Sequence, residues 1–347
     1  MKIKSISFPS VVEGYNTSLI NVAKDQLNGL KIQDNGDDYI IGNLALSEGR
    51  NPHKAINSSP DEVDYRLLAK AGIVIAANFV KEPMVITTGF PFSNININKI
   101  AARDYLSGLD SIAFDSRTIG GRDHQTLQFA VNRVDVIPEL IGGIIAIRGG
   151  EHQRTGNFFM VSLGYGTVEI GLSTDGGIIQ RTEGSGPGLR YAIDLAKKDL
   201  MQNYYVGLRT EHQFDIAFQR GNIMVNRKRI DLSEIRKHAL SHYYKDVISP
   251  LIRNTWDDDD FSKANTIILI GGGAQYPEIA ECFSEEFSGF ANIEVPDNPT
   301  TIASRGFCIR SLNLAGGNSD AAVGIDIGNA HTTVSVFEKE YDTTIIE

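Results

Sequence analysis

Cysteine is nearly absent from this chain: 347 residues include two, Cys282 and Cys308. They lack the CxxC spacing of metal and redox motifs and stand in apolar company, so both read as reduced packing residues. Positive charge is also short, with 33 Lys and Arg against 43 Asp and Glu and a net charge of -10. Broad contact with nucleic-acid phosphates needs a basic face, so the balance argues against direct nucleic-acid binding, and any link to DNA would run through a partner protein. No apolar run approaches the ~20 residues that a membrane-spanning helix needs. The opening stretch, MKIKSISFPSVVEGY, has no signal-peptide core, so the expected compartment is the cytoplasm. Tandem repeats are absent.

What is present is an alternation of strand and helix patterns, over a length that suggests two domains. Short apolar or alternating runs mark strands at Lys2 to Phe8, Tyr39 to Ile41, Met84 to Thr88, Val134 to Ile137, Phe158 to Leu163, Thr167 to Leu172 and Thr266 to Ile270, with a last hairpin from Val323 to Phe337. Helical periodicity covers Pro60 to Ala77, Glu139 to Arg148, Gly188 to Tyr204, Leu232 to Trp256, Tyr276 to Phe287 and Thr300 to Leu312. The fold class is therefore α/β. The helix from Leu232 is expected to start with a capping box of Asp231 and Glu234 and to kink near Pro250. Arg148 to His152 and Ala315 to Asp320 read as connectors.

Two stretches echo one another. VGIDIGNAHTTVSVF at the end and VSLGYGTVEIGL at Val161 to Leu172 are both a strand, a glycine-containing turn and a second strand. A turn that brings main-chain N–H groups against a polyphosphate needs residues without a bulky Cβ, which Gly328 and the pair Gly164 and Gly166 supply. Asn329, Thr332 and Thr167 add side-chain donors, and Asp326 is placed to hold the water shell of a Mg²⁺ ion. Either hairpin alone also reads as an ordinary turn. A third stretch, TIILIGGGAQYPEI, feeds an apolar strand into Gly271, Gly272 and Gly273 and then a helix, so that a flat or charged ligand can lie on the main chain. Read as a dinucleotide fingerprint, with Glu294 as its acid, it lacks the third glycine, because Tyr276 stands there. A fourth, VDVIPELIGG, puts Glu139 at a strand-to-helix junction, where a carboxylate can orient a water attacking a γ-phosphate or simply suit the helix dipole.

Together these motifs resemble the actin, heat-shock chaperone and sugar-kinase superfamily. Within it, GIDIGNAHTTVSV is similar to the first phosphate hairpin of bacterial actins, YIIGNLAL (Tyr39 to Leu46) to a segment of plasmid-segregating actins of the ParM type, and ASRGF (Ala303 to Phe307) to their closing helix. The resemblance implies a two-domain actin-like, ribonuclease H-like α/β fold. It also implies a circular permutation, because the hairpin that opens such chains stands last here and every other motif keeps its order. Domain I then comprises residues 1–150 with 315–347 and domain II residues 151–314, and the last strand near Thr333 to Phe337 pairs beside Lys2 to Phe8. A Mg²⁺–ATP site in the cleft follows from the same resemblance, with Asp326 at the metal shell. Gly328, Asn329, Thr332, Gly164, Gly166, Thr167, Gly271, Gly272 and Gly273 would hold the nucleotide, and Glu139 would position the hydrolytic water. Two departures stand out: Ser162 occupies a position where the family has Asp, and His331 one where Asn is common. Slow hydrolysis or unusual metal dependence is the expectation.

The implied function is a filament-forming ATPase whose partners are further copies of itself and, for plasmid segregation, a DNA-binding adaptor. A small-molecule kinase of the same superfamily and a structural filament with little ATP turnover are the rivals. Three other features read as bland. His238 and His242, four apart on a helix but without the Glu of HExxH or an obvious third ligand, suit a solvated helix face. Asp257 to Asp260 suits a solvated loop. SRTIGGRDHQ (Ser116 to Gln125) suits a surface turn, with a subunit contact as the alternative. GSGPGL (Gly184 to Leu189) suits either a helix-leading loop or a cover for phosphates.

Overall fold

A computed structural model of the protein describes residues 1–55, 59–204 and 211–338. The chain divides into two compact units, Met1–Gln153 with Thr301–Glu347 and Arg154–Thr300. The sequence-based boundary at 314 grouped the helix Ile302–Leu314 with the second domain, whereas this division places it in the first unit. Among the described residues, no helix is long and apolar enough to cross a membrane.

The first unit is built on a five-stranded sheet in the order Ile3–Pro9, His331–Phe337, Ala322–Ile327, Met84–Phe90 and Val131–Pro138. The first three run antiparallel to their neighbours, and the last three are mutually parallel. Met84–Phe90 is buried along its whole length, as a parallel strand covered on both faces must be. The tail of the chain thus occupies the middle of the sheet. Its last strand pairs with the first from Ile3 opposite Phe337 to Pro9 opposite His331, as expected. Hydroxyls fix that register: Ser5 Oγ lies 2.8 Å from Ser335 Oγ, and Ser7 Oγ lies 2.8 Å from Thr333 Oγ1. A second, six-stranded sheet in this unit runs His53–Lys54, Val11–Gly14, Asp37–Ile41, Lys31–Asp34, Ser111–Asp115 and His124–Gln128. Its tight turn is Asn35-Gly36, both with positive φ, the backbone that a two-residue hairpin demands.

Glycines seat the helix Ile302–Leu314 against this sheet. A Cβ on Gly324 would come within 2.2 Å of the Ser304 carbonyl oxygen, and one on Gly89 within 2.4 Å of the Phe307 ring. Against the neighbouring helix, Glu139–Gly149, a Cβ on Gly306 would lie 1.7 Å from the Gly142 carbonyl oxygen. Ser304 Oγ lies 2.9 Å from Ser335 Oγ, and Ser311 Oγ donates to the Val323 carbonyl at 2.8 Å, so the buried hydroxyls on this helix are satisfied by the strands beneath.

The second unit repeats the sheet pattern. Its order is Gly177–Ile178, Thr167–Thr174, Phe158–Leu163, Thr266–Ile270 and Asn292–Glu294, again antiparallel over the first three and parallel over the last three. Here the hairpin precedes its parallel neighbours in the chain, whereas in the first unit the corresponding hairpin follows them. An aromatic core holds the unit, with the Phe159 ring centroid 4.3 Å from that of Trp256 and 4.9 Å from that of Phe261. The long helix expected from Leu232 is interrupted: α-helix Ser233–Tyr243, a π turn over Tyr244–Ile248, then α-helix Ser249–Thr255. Pro250 has no N–H to return to the preceding turn, so the distortion falls before it rather than at it. The expected capping box of Asp231 and Glu234 does not form: the N-cap is Leu232 without a side-chain bond, and Asp231, one residue earlier, accepts from the Ser233 amide at 2.8 Å. The acidic run is not a solvated loop either. Asp257 and Asp260 form a capping box on the short helix Asp258–Phe261, and Asp260 is fully buried, gripped by Arg181 at 2.6 and 2.8 Å.

Candidate functional site

The tail hairpin turns through Gly328, Asn329 and Ala330. Gly328 donates its N–H to the His331 carbonyl at 3.1 Å, and a Cβ on it would come within 2.9 Å of that oxygen. Glycine is needed here because two main chains approach closely, not because φ is positive. The brace of this corner is Ser10, which the sequence reading missed. Its amide donates to the Ala330 carbonyl at 2.9 Å, and its hydroxyl donates to the Gly328 carbonyl at 2.5 Å and lies 3.0 Å from Thr332 Oγ1. Ser10 and Thr332 are both buried, so the Thr332 hydroxyl is engaged inside the corner. No pattern around Ser10 announces this role. It follows only from the strand pairing that lays Pro9 opposite His331.

Asp326 stands just past Ile325, which pairs with Thr88, which in turn faces Val136 on the next parallel strand. Asp326 and Glu139 therefore both lie at the edge where these parallel strands end, the place where open α/β sheets hold ligands. Burial pushes the Asp326 carboxyl up to about 7, the cost of removing a carboxylate from water. An arriving cation would relieve that cost. Glu139 is half-buried and opens the helix Glu139–Gly149 directly after Pro138.

In the second unit the corner is Gly164, Tyr165 and Gly166. Gly164 donates its N–H to the Thr167 carbonyl at 2.9 Å. The carbonyls of Gly166, Gly164 and Tyr165 accept from the amides of Gly188, Leu189 and Arg190 at 3.0, 3.0 and 2.9 Å. Gly188 is the residue that allows this, because a Cβ there would lie 2.5 Å from the Thr167 nitrogen. GSGPGL is thus bound to the hairpin: Gly184–Pro187 pairs with the strand from Thr167, and the helix Arg190–Asn203 follows. The glycine loop joins the same place. Ser162 pairs with Ile270 across the parallel strands, and a Cβ on Gly271 or Gly273 would meet Leu163 at 2.7 Å. Gly271 has a φ of 87°, which favours glycine on its own account. Gly272 has nothing within 4 Å of a Cβ position, so its main chain borders open space. The structure thus brings Gly164, Gly166, Thr167, Gly271, Gly272 and Gly273 to one edge of one sheet. Ser162 faces Glu169 across the hairpin, and Glu169 is buried. Glu294 is ion-paired with Arg154, which takes it away from the role a dinucleotide fingerprint would assign it.

One acidic cluster outside these corners, Asp38, Asp115 and His124, has the spacing of a metal site. Fixed cations already fill it: the buried Lys31 Nζ lies 2.8 Å from Asp38 and 3.3 Å from Asp115, and Arg117 Nε lies 2.8 Å from Asp115. The Arg117 hydrogen bonds hold the Asp115 carboxyl well below the usual carboxylate range. The stretch from Ser116 to Gln125 is therefore more than a plain surface turn, because it carries the partners of a buried carboxylate.

The solved structures that resemble this chain share its two-unit architecture. A 15-stranded ParM filament from Clostridium botulinum superposes with a TM-score of 0.70 at 18% identity, covering 88% of this chain and 92% of that one. A non-polymerisable quadruple mutant of pCBH ParM gives 0.67 at 18%, covering 89% and 92%. An archaeal actin homologue in complex with ADP gives 0.62 at 19%, covering 86% and 90%. Residues 1–142 match the family described as the N-terminal domain of actin-like proteins. The chain has an actin-like fold. No curated protein matches it significantly. In this actin-like chain the part matched as an N-terminal domain lacks two strands of its own central sheet, Ala322–Ile327 and His331–Phe337, which come from the tail.

Proposed function

We propose that this chain binds a Mg²⁺–nucleoside triphosphate, ATP by the family resemblance, and assembles head to tail into filaments whose stability depends on the nucleotide. The observation that carries the reading is the open main-chain patch at Gly272, set beside a glycine corner that repeats, strand for strand, the corner after Asp326. The residues fit such a ligand. Gly164, Gly166, Gly271, Gly272, Gly273, Gly328 and Asn329 would present main-chain and amide donors to it, while Thr167 and Thr332 would support the corners. Asp326, a carboxyl whose ionisation is costly without a cation, would hold the Mg²⁺ shell. When bound, the nucleotide supplies the phosphoanhydride, and Glu139 would orient the attacking water. Ser162 in place of an aspartate removes one anchor of the metal shell, so turnover is slow. The ParM and filament neighbours support self-association, and a contact whose symmetry does not close gives an open filament. Plasmid segregation in the cytoplasm through a DNA-binding adaptor is the cellular role that the ParM likeness supports, and the charge of -10 favours an adaptor over direct DNA contact.

The test is sedimentation and light scattering in ATP, ADP and a non-hydrolysable analogue, with phosphate release followed in parallel. ATP-dependent pelleting is expected. Glu139→Ala should keep nucleotide-dependent assembly and lose phosphate release, and unchanged release would remove Glu139 from the mechanism. Phosphoryl transfer to a sugar or acid without any sedimentation would favour a small-molecule kinase.

We further propose that the chain is a circular permutant of the actin-like arrangement. Support comes from the tail strands that complete the central sheet, with His331–Phe337 paired beside Ile3–Pro9 and the Glu338 amide donating to the Lys2 carbonyl at 2.9 Å. Replacing Met1 and residues 339–347 by a short glycine turn that joins Glu338 to Lys2, and opening the chain at Gly317, should give a folded protein within about 1 kcal/mol of the original, because permutation is cheap where the joined residues adjoin and the cut is exposed. A variant that does not fold would count against it.

A further inference from the structure

The pair His238 and His242, bland as sequence, has a specific geometry in the folded chain. Both lie on the helix Ser233–Tyr243, one turn apart, with ring centroids 4.4 Å apart. Their Nε2 atoms converge to 3.0 Å. Each ring turns its other nitrogen to a carboxylate: His238 Nδ1 lies 3.5 Å from Asp199 and His242 Nδ1 lies 3.8 Å from Asp246. Asp246 is itself held, accepting from the Tyr191 hydroxyl at 3.0 Å, and it sits in the π turn, a distortion frequent at functional sites. Both imidazoles are exposed, 64% and 48%, so an ion reaches them from solvent.

We infer that His238 and His242 form a surface site for a divalent late-transition ion of the zinc class, with Asp199 and Asp246 as the carboxylates that orient the two rings. A metal bonds imidazole nitrogen at about 2.0–2.1 Å, and two such bonds at roughly 90–109° set the nitrogens about 2.9–3.4 Å apart. The Nε2 separation of 3.0 Å lies in that span. Without metal, the only attraction available across this gap is one shared proton, Nε2–H of one ring to Nε2 of the other. The outer carboxylates stand beside the two Nδ1 atoms, on the side of each ring away from the converging Nε2 pair, the placement that accompanies most ligating histidines. Imidazole ligands select zinc, copper or nickel over magnesium and calcium, which take oxygen. With two protein ligands, the remaining coordination positions are left to water. None of its four residues belongs to the glycine corners or to the Asp38, Asp115 and His124 cluster, where lysine and arginine already supply the positive charge.

The experiment titrates the nucleotide-free full chain with Zn²⁺ by calorimetry and with Cu²⁺ by electron paramagnetic resonance. Saturable binding of one ion and a copper spectrum split by two imidazole nitrogens are expected. His238→Ala and His242→Ala should each weaken binding tenfold or more, and Asp199→Asn about tenfold, the range seen for carboxylates behind ligating histidines. Circular dichroism checks that these exposed-site variants remain folded. Absence of saturable binding, or unchanged affinity and stoichiometry in either histidine variant, overturns the assignment.

Discussion

Substituting Gly306 by alanine should break the first unit at the point where two helices touch main chain to main chain. The added Cβ would sit 1.7 Å from the Gly142 carbonyl oxygen and 2.5 Å from its carbon. Ordinary contact between such atoms is more than 3 Å, so the helices Ile302–Leu314 and Glu139–Gly149 must separate by about 1.5 Å, with backbone on both sides and no flexible side chain to yield. Overpacking of this kind costs about 1–3 kcal/mol, and a backbone clash belongs at the upper end. At about 3 kcal/mol, a unit of roughly 200 residues loses about 6–12 °C in Tm. The shift also moves the helix that begins with Glu139, so phosphate release should fall together with stability. Thermal and urea unfolding measure the first effect, with Gly272→Ala as the control. No atom lies within 4 Å of a Cβ at Gly272, so its stability should stay within about 0.5 kcal/mol of wild type, while nucleotide affinity falls. A Gly306→Ala protein within about 1 kcal/mol of wild type would refute the close-packing argument.

Asp326→Asn tests the half-buried, desolvated carboxyl at the end of Ala322–Ile327. Its folded-state pKa is raised from 3.8 to about 7, so the folded state resists ionisation. Relative stability is therefore fully present below about pH 4, declines as pH rises toward 7 and stays lost above it, a penalty of at most about 4 kcal/mol. The asparagine variant should be more stable than wild type at pH 8 without nucleotide and gain nothing at pH 4; equal gains at both would refute the cause. Lys31→Met should cost about 3 kcal/mol in urea unfolding, because it leaves Asp38 without its buried partner and Asp115 with fewer bonds. Ser10→Ala removes both hydroxyl contacts to the tail hairpin and should cost about 1–2 kcal/mol while weakening nucleotide binding, read by unfolding and by titration.

Sequence alone marked the strands of both central sheets and the glycine turns at their ends, but not the helix Ile95–Ser107 or most strands of the first unit's second sheet. Gly328 after Asp326, Gly164 with Gly166, and the run Gly271 to Gly273 are local signals, because the need for a missing Cβ is written in the residue itself. Polar residues inside a strand pattern misled in one respect: Thr167–Thr174 alternates with Glu169 and Ser173, yet it is buried from Val168 to Ser173, as fully covered as Met84–Phe90. Asn35-Gly36 carried an equally local hairpin signal that the sequence reading passed over.

Only the tertiary structure decided what depends on residues far apart in the chain. Ser10 braces the Gly328 corner from 318 positions away, and Asp260 is buried because Arg181 comes to meet it. Two histidines that read as a solvated face converge to 3.0 Å between their Nε2 atoms, with Asp199 from another helix beside one ring and Asp246 beside the other. Periodicity reports which side of an element is apolar; it carries no information about which polar group another segment will bring, and these sites are made of such pairings.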